Sequence, residues 1–117
     1  MLTKKEIEKN RKFLNDSDRH FAAALKALGD INRFRIFRML IIHQRISIST
    51  IAKVLRISLP LASLHVKALV NASLLVKSRS GKKIFLSIER RNPLVLALVP
   101  VFRLSIRNNN PLQTRHM

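Results

Sequence analysis

The residues with the clearest chemical meaning are lysines and arginines in a stretch without acids. The chain has 23 Lys and Arg residues against 6 Asp and Glu, which gives a formal net charge of +17. Asp30 and Glu89 bound a long segment in which every Lys, Arg, Asp or Glu position is basic. Because each cation near a phosphate releases condensed counterions, this pattern predicts a polyanionic partner rather than a generic charged surface.

The sequence offers few residues for catalysis or for metal binding. The 117 residues include no Cys, so disulfides, thiolate metal sites and thiol redox sensing are excluded within this chain. Asp16, Asp18 and His20 stand close together, but alternating acids before a helix are more often caps than metal ligands. We find no Gly-rich phosphate loop and no paired-carboxylate or Ser/His/Asp spacing. The sequence therefore predicts a protein that is not an enzyme and that binds no metal or cofactor.

The elements that must position the cations are mainly helices. Apolar spacing predicts a helix over residues 2–14, which begins with a Thr3/Glu6 capping box, and a second helix that ends at Gly29. Asp30 is placed to cap a third helix. The small numbers of Gly (2) and Pro (4) also favour a helix-rich chain.

Two short helices with a tight connection follow, and they predict a helix-turn-helix. Ser47 and Ser58 stand where helix caps are expected, and Pro60 falls in a first turn, where its missing N–H costs nothing. The second helix has an inward stripe from Ala62 to Val70. Its outward face and margin carry our candidate contacts to bases and phosphates. These candidates are Ser58, Pro60, Leu61, Ser63, Leu64, His65 and Lys67.

Three of these positions keep two interpretations. His65 either contacts DNA or is a hydrogen-bonded histidine at the margin of the core. Leu61 and Leu64 either touch thymine methyl groups or pack on a protein partner.

A basic hairpin comes next. Residues 74–79 and 83–88 are β-rich runs around Ser80-Gly81, which is typical of two strands with a short turn. Its cations should meet phosphates or the minor groove. They are Lys77, Arg79, Lys82 and Lys83. A basic hairpin directly after a helix-turn-helix is a wing.

The last predicted helix is nearly all apolar, from Leu94 to Phe102, and Pro100 is expected to bend or end it. A helix that is apolar on every side needs burial on every side, which a domain this small can hardly supply. We therefore predict a homodimer that pairs apolar residues of the first and last helices. The predicted interface residues are Ile7, Leu14, Leu94, Leu98, Val101 and Phe102. Residues 1–105 would form a single domain and residues 106–117 a disordered tail.

The segment from Phe21 to Ile88 resembles the ArsR/SmtB family of small prokaryotic winged-helix repressors. The run 26–30 with Arg33 and Ile36 is similar to the family's opening signature, 58–69 to its recognition helix, and 75–83 to its wing at ungapped spacing. The resemblance implies a homodimer built on the first and last helices, a roughly palindromic operator, and repression relieved by a signal.

Four departures from the family pattern are visible. Ser47-Ile48-Ser49 stands where arsenic and cadmium sensors have Cys-x-Cys, and the last helix lacks the His and Asp ligands of the zinc sensors. Leucines occupy positions 59, 61 and 64, which are usually polar or basic. Ser73 stands in place of a common Gly. The resemblance therefore does not extend to a metal sensor site.

The predicted fold is mainly α with a small β-hairpin, a winged helix-turn-helix in the order α-α-α-α-α-β-β-α. The predicted function is sequence-specific binding of double-stranded DNA by a dimeric transcriptional repressor. No segment resembles a signal peptide or is long enough to cross a bilayer, so we expect a cytoplasmic, nucleoid-associated protein.

Two other functions compete with this prediction. One is a basic RNA-binding or ribosome-associated protein, and the other is a protein-interaction module that docks through Leu59, Leu61 and Leu64. RNA modules usually stack bases on exposed aromatics. This chain has no Tyr or Trp, and its Phe residues fall on apolar stripes or their edges, which favours DNA.

Overall fold

The computed structural model describes residues 1–108, with the side chains of residues 105–108 left out. Six helices and three strands follow one another along this part of the chain. They are α1 (Lys4–Arg11), α2 (Ser17–Leu28), α3 (Ile31–Ile42), β1 (Ile46–Ser47), α4 (Ile48–Leu55), α5 (Leu59–Asn71), β2 (Leu75–Ser80), β3 (Lys83–Ile88) and α6 (Pro93–Asn108). No helix in this part is long and apolar enough to span a bilayer.

The predicted starts of α1, α3, α4 and α5 are confirmed by capping hydrogen bonds, whereas Asp16 at the N-cap of α2 makes no such side-chain bond. The Thr3 hydroxyl accepts from the backbone N–H of Glu6 at 3.1 Å, and the Glu6 carboxylate accepts from the N–H of Thr3 at 2.9 Å. Side-chain oxygens of Asp30, Ser47 and Ser58 accept from the first turns of α3, α4 and α5. Each cap satisfies a backbone donor that has no partner within its helix.

The sheet has three antiparallel strands in the order β1-β3-β2, so the predicted two-stranded hairpin was incomplete. In the added strand, Ile46 pairs with Leu86 and Ser47 with Phe85. Sequence periodicity missed β1 because two residues are too few to show alternation. The hairpin itself is confirmed, and Gly81 lies in its two-residue turn with φ of 62°. A positive φ at this first turn position is what a type II′ hairpin turn requires.

The hydrophobic core lies between α3, α5, the sheet and α6. Phe37 on α3, Leu69 on α5, Leu86 on β3 and Val95 on α6 are all 0% exposed. The core therefore fixes α5 and the hairpin relative to each other, and their outer surfaces carry most of the predicted contacts.

Helix α6 is longer than predicted, because it continues through Pro100 and extends to Asn108. A proline removes the hydrogen bond to the carbonyl four residues earlier, here that of Leu96. Pro100 and Leu96 are both exposed in the single protomer. Residues 106–108 of the predicted tail are helical, and the rest of that prediction, from 109 onward, lies outside the described residues.

Ser73 ends α5 in the left-handed conformation, with φ of 60°. Its own N–H donates to the carbonyl of Val70 at 3.0 Å, and the N–H of Leu74 donates to that of Leu69 at 3.0 Å. This is a Schellman ending, for which Gly is the usual residue. Ser73, which stands where the family commonly has Gly, thus occupies a position where an L-residue is strained.

Candidate nucleic-acid interface

The connection between α4 and α5 is a tight turn that leaves the outer face of α5 open. Arg56 takes the left-handed conformation at the end of α4, with φ of 56°. The N–H of Ile57 donates to the carbonyl of Ala52 at 3.1 Å, and Ser58 then caps α5. The two helices form the predicted helix-turn-helix.

Helix α5 divides into a buried stripe and an exposed face. Ala62 is 0% exposed and Val66 is 3% exposed, which confirms the predicted inward stripe. Ser63, Lys67 and Asn71 are exposed at intervals of four residues. They form one line along about 12 Å of the helix. Asn71 points outward like the candidate residues but was not among them.

The exposed line on α5 faces the hairpin across a groove of about 390 Å³. Ser63, Lys67 and Asn71 line one wall, and Lys77 of β2 stands opposite. Apolar residues complete the lining: Ile48, Val66, Val70 and Ile84. The groove thus presents two lysines from different elements, an arrangement suited to an anionic backbone.

The hairpin carries cations on both faces and at its tip. Lys77 pairs directly with Leu86, and Arg79 with Ile84. Directly paired residues share a face, so these two cations lie on the side that carries the apolar residues toward the helices. Lys83 pairs with Ser80 and lies on the opposite face, while Lys82 is in the turn. All four predicted wing cations are exposed.

His65 belongs to a polar network that joins α3 to α5. Its Nδ1 accepts from the Nε of Arg33 at 3.3 Å and lies 3.8 Å from Oδ1 of Asp30. The side chain of His65 is only 11% exposed, so it lies at the core margin, as one of the two sequence interpretations had it. The Arg33 guanidinium also donates to the carbonyl of Ala27 at the end of α2.

Asp30 anchors this network electrostatically. Its carboxylate accepts from the backbone N–H groups of Arg33 and Asn32. The bond from the Arg33 backbone, followed by that from Asn32 and by the nearby charge of Arg33, holds the pKa of Asp30 below its ordinary value against some desolvation. The ionised carboxylate thus stabilises the start of α3 beside α5.

Arg45 is a cation near the hairpin that the sequence did not single out. Its guanidinium lies 3.8 Å from the ring centroid of Phe85 on β3. The two residues are far apart in the sequence, so no local pattern could have indicated this cation–π contact. It adds one more positive charge to the outer face of the sheet.

A second exposed surface is apolar. Helix α1 contributes no buried residue, and its groove of about 380 Å³ is lined by Leu2, Ile7, Phe13 and Leu14 with two polar neighbours. Apolar side chains on α2 and α6 are also exposed. They are Phe21 at 45%, Leu25 at 52%, Leu96 at 54%, Val101 at 59% and Leu104 at 56%. Phe13 and Phe21 are therefore more exposed than their apolar stripes suggested.

The six residues predicted for the dimer interface separate into three groups. Ile7 (43%), Leu14 (71%) and Val101 (59%) are exposed, whereas Leu94 and Leu98 are half-buried against their own core. The placement of Phe102 was wrong, since it is 5% exposed. The centroid of its ring lies 4.8 Å from that of Phe34 and 4.9 Å from that of Phe37, so Phe102 belongs to the core of its own protomer. Because the residues from Leu94 to Phe102 are nearly all apolar, the sequence could not show which side of the helix packs against the core.

Acidic residues and histidines do not assemble into a metal site within residues 1–108, where no three of them come together. Asp18 instead accepts from the N–H of Asn15 at 3.2 Å at the start of α2, while Asp16, at the N-cap position, makes no side-chain capping bond.

Comparison with known proteins gives structural neighbours only, since no family model and no curated protein matches the sequence. The transcriptional regulator HlyU from Vibrio vulnificus superposes with a TM-score of 0.68 at 20% identity, covering 82% of this chain and 97% of that one. The homodimeric winged helix-turn-helix DNA-binding domain of Mb0332 from Mycobacterium bovis, a possible ArsR-family regulator, gives 0.67 at 20% identity, with 89% and 97% covered.

A third neighbour is the transcriptional repressor PagR of Bacillus anthracis, with a TM-score of 0.62 at 25% identity over 73% of this chain and 94% of that one. The chain therefore has the winged helix-turn-helix fold, as the sequence predicted.

Proposed function

We propose that this chain is a dimeric, sequence-specific DNA-binding transcriptional regulator, a repressor of the ArsR type without a metal sensor site. The observation that carries the proposal is the exposed face of α5 beside a hairpin that is cationic on both faces. The fold shared with transcriptional regulators supports it, as does the name of PagR, a repressor. In this role the protein works in the cytoplasm on nucleoid DNA.

In this proposal α5 enters the major groove, which is about 12 Å wide and admits one helix. Ser63 and Lys67 lie on the face turned toward the DNA and contact base edges and phosphates, with Ser58 at the N-terminus of the helix. The four wing cations contact adjacent phosphates or the minor groove. His65 positions α5 through Arg33 rather than touching a base, because its side chain is 11% exposed.

The exposed apolar surface of α1, α2 and α6 supports a proposed dimer. Helix α1 has no buried residue, so none of the residues that the structure describes covers its apolar face. The radius of gyration is 17.9 Å, against about 13 Å for a compact chain of this length. We propose that α1 and α6 pack on the same helices of a second copy across a two-fold axis, with Leu96 taking the place expected for Phe102. Such symmetry requires a roughly palindromic operator.

A charge placed in that interface should separate the protomers. We expect Leu96→Glu to convert the dimer to a monomer in sedimentation at micromolar concentration, because burying an unpaired carboxylate costs several kcal/mol. Val54→Glu is the matched control, since Val54 is 58% exposed on α4 and should leave the dimer intact. A native chain that sediments as a monomer at this concentration contradicts the proposed dimer.

The choice between DNA and RNA is decided by direct competition. The full chain is offered a random pool of duplex DNA in the presence of excess structured RNA, and the bound molecules are sequenced. We expect recovery of duplexes with a symmetric consensus. Preferential recovery of RNA supports the RNA-binding alternative, and weak binding of both supports a protein-interaction module.

A further inference from the structure

The part of α5 that would meet the bases is more apolar than the rest of the basic surface. Leu64 is 66% exposed, Leu59 is 49% and Leu61 is 38%. These leucines occupy the first half of the helix, the half whose side chains contact base edges in a helix-turn-helix. Leu64 lies roughly opposite the buried stripe, in the middle of the outward face.

Hydrogen-bonding groups are correspondingly scarce on this helix. The sequence of α5 contains no Arg, Gln, Asp or Glu. Arg and Lys in bidentate contact with guanine, and Asn or Gln with adenine, are the usual polar pairs for reading bases. Lys67 and Asn71 lie in the second half of α5, and His65 is committed to Arg33. Among the exposed residues of the first half, Ser63 is thus the polar side chain available for the bases.

We infer that Leu64, with Leu61 beside it, reads thymine through the C5-methyl group, so each operator half-site carries thymine where these side chains enter the major groove. The inference rests on the proposed DNA-binding function and deepens it. The thymine methyl is the apolar feature that the major groove offers to a leucine. A guanine-rich half-site lacks it.

The charges around the leucines favour DNA as their occupant over a protein. Lys67 stands three residues after Leu64, on the same side of the helix, and Lys77 faces Lys67 across the groove. Positions 31–88 contain no acid. A ligand that binds these leucines must therefore carry an apolar group surrounded by negative charge, as a major groove that contains thymine does.

Deoxyuridine provides the sharpest test, because it differs from thymine only by the missing methyl group. Each thymine of the selected consensus is replaced in turn by deoxyuridine in both half-sites, and Kd is measured with the full-length chain at one fixed salt concentration. We expect at least one position per half-site to be sensitive. Loss of one buried methyl weakens binding about 4-fold, and about 15-fold when both half-sites are changed.

Two variants test whether the sensitivity to deoxyuridine depends on the leucines of α5. Leu64→Ala, combined where needed with Leu61→Ala, should weaken binding to the thymine operator and remove the difference between thymine and deoxyuridine. Ser63→Ala is the matched control, since Ser63 neighbours Leu64 on α5 and lacks an apolar side chain to meet the methyl. With this variant the deoxyuridine effect should persist.

The outcomes separate this inference from the proposed function. A consensus without thymine, thymines that are all insensitive to deoxyuridine, or sensitivity that persists in the leucine variants overturns the inference and leaves sequence-specific DNA binding intact. A pool that yields no consensus overturns the proposed function and the inference together. Leucine variants that bind every duplex like the native chain also overturn the inference, and assign the leucines to a protein partner.

Discussion

Removing the two lysines at the tip of the wing should weaken binding to all duplexes alike. Lys82 lies in the turn and Lys83 begins β3, so neither lies on the face that carries Lys77 toward α5. In a dimer, the double change to Ala removes four cations. Each lost phosphate contact lowers the slope of log K against log salt by about 0.9, so the slope should fall by up to about 4 units.

The magnitude at physiological salt follows from the same relation. Each contact is worth about 1 kcal/mol at 0.15 M salt, so affinity should fall by about two to three orders of magnitude if all four contacts are made. The assay is titration of cognate and scrambled duplexes at several salt concentrations. A control variant, Lys4→Ala with Lys5→Ala on α1, removes the same charge from a helix outside the wing and should change the slope little. An unchanged slope with an altered ranking of sequences would refute the assignment of the wing to phosphates.

Three further predictions concern stability and regulation. Asp30 has a lowered pKa in the folded state, so its charge contributes stability above the unfolded pKa that is lost as pH falls through the folded value. Asp30→Asn should keep the cap but lose this contribution. Its deficit in unfolding free energy at pH 7 should begin to shrink below about pH 4, the unfolded pKa, and should vanish only below the folded pKa, whereas a deficit constant with pH contradicts the argument. Ser73→Gly should raise the unfolding free energy by about 0.5–1 kcal/mol in urea titration by relieving the left-handed strain, while Ser78→Gly within β2 should lower it. Stoichiometric zinc, nickel or cadmium, or peroxide, should leave operator affinity unchanged within tenfold, and a larger loss would make His20 and its acidic neighbours the first residues to mutate.

Local chemistry made much of the fold predictable. Caps such as Asp30 and Ser58 depend on a side chain and the backbone two or three residues later, so the sequence carries the whole signal. The stripe from Ala62 to Val70 was equally visible, because one period describes a helix with one buried face. The same pattern showed which side of α5 remains open for contacts.

Features that depend on distant residues were not predictable. Strand β1 exists because Ile46 and Ser47 pair with β3, and two residues carry no period of their own. Phe102 is buried because it packs against the rings of Phe34 and Phe37 on α3. An apolar run in the sequence cannot reveal this contact. Pro100 signalled a break in α6, but the helix continues through it to Asn108. The network of Arg33 with His65 is likewise a contact across 32 residues.

The central claim is that the exposed face of α5 reads a DNA sequence, and the specificity ratio tests it most directly. The ratio is the Kd for a scrambled duplex divided by the Kd for the selected duplex, measured with the full chain at 0.15 M salt. We predict a ratio of about 10³ or more, reduced by Ser63→Ala and Lys67→Ala, which should affect cognate DNA more than random DNA. A native ratio near one, or variants that lower both affinities equally, would contradict the account.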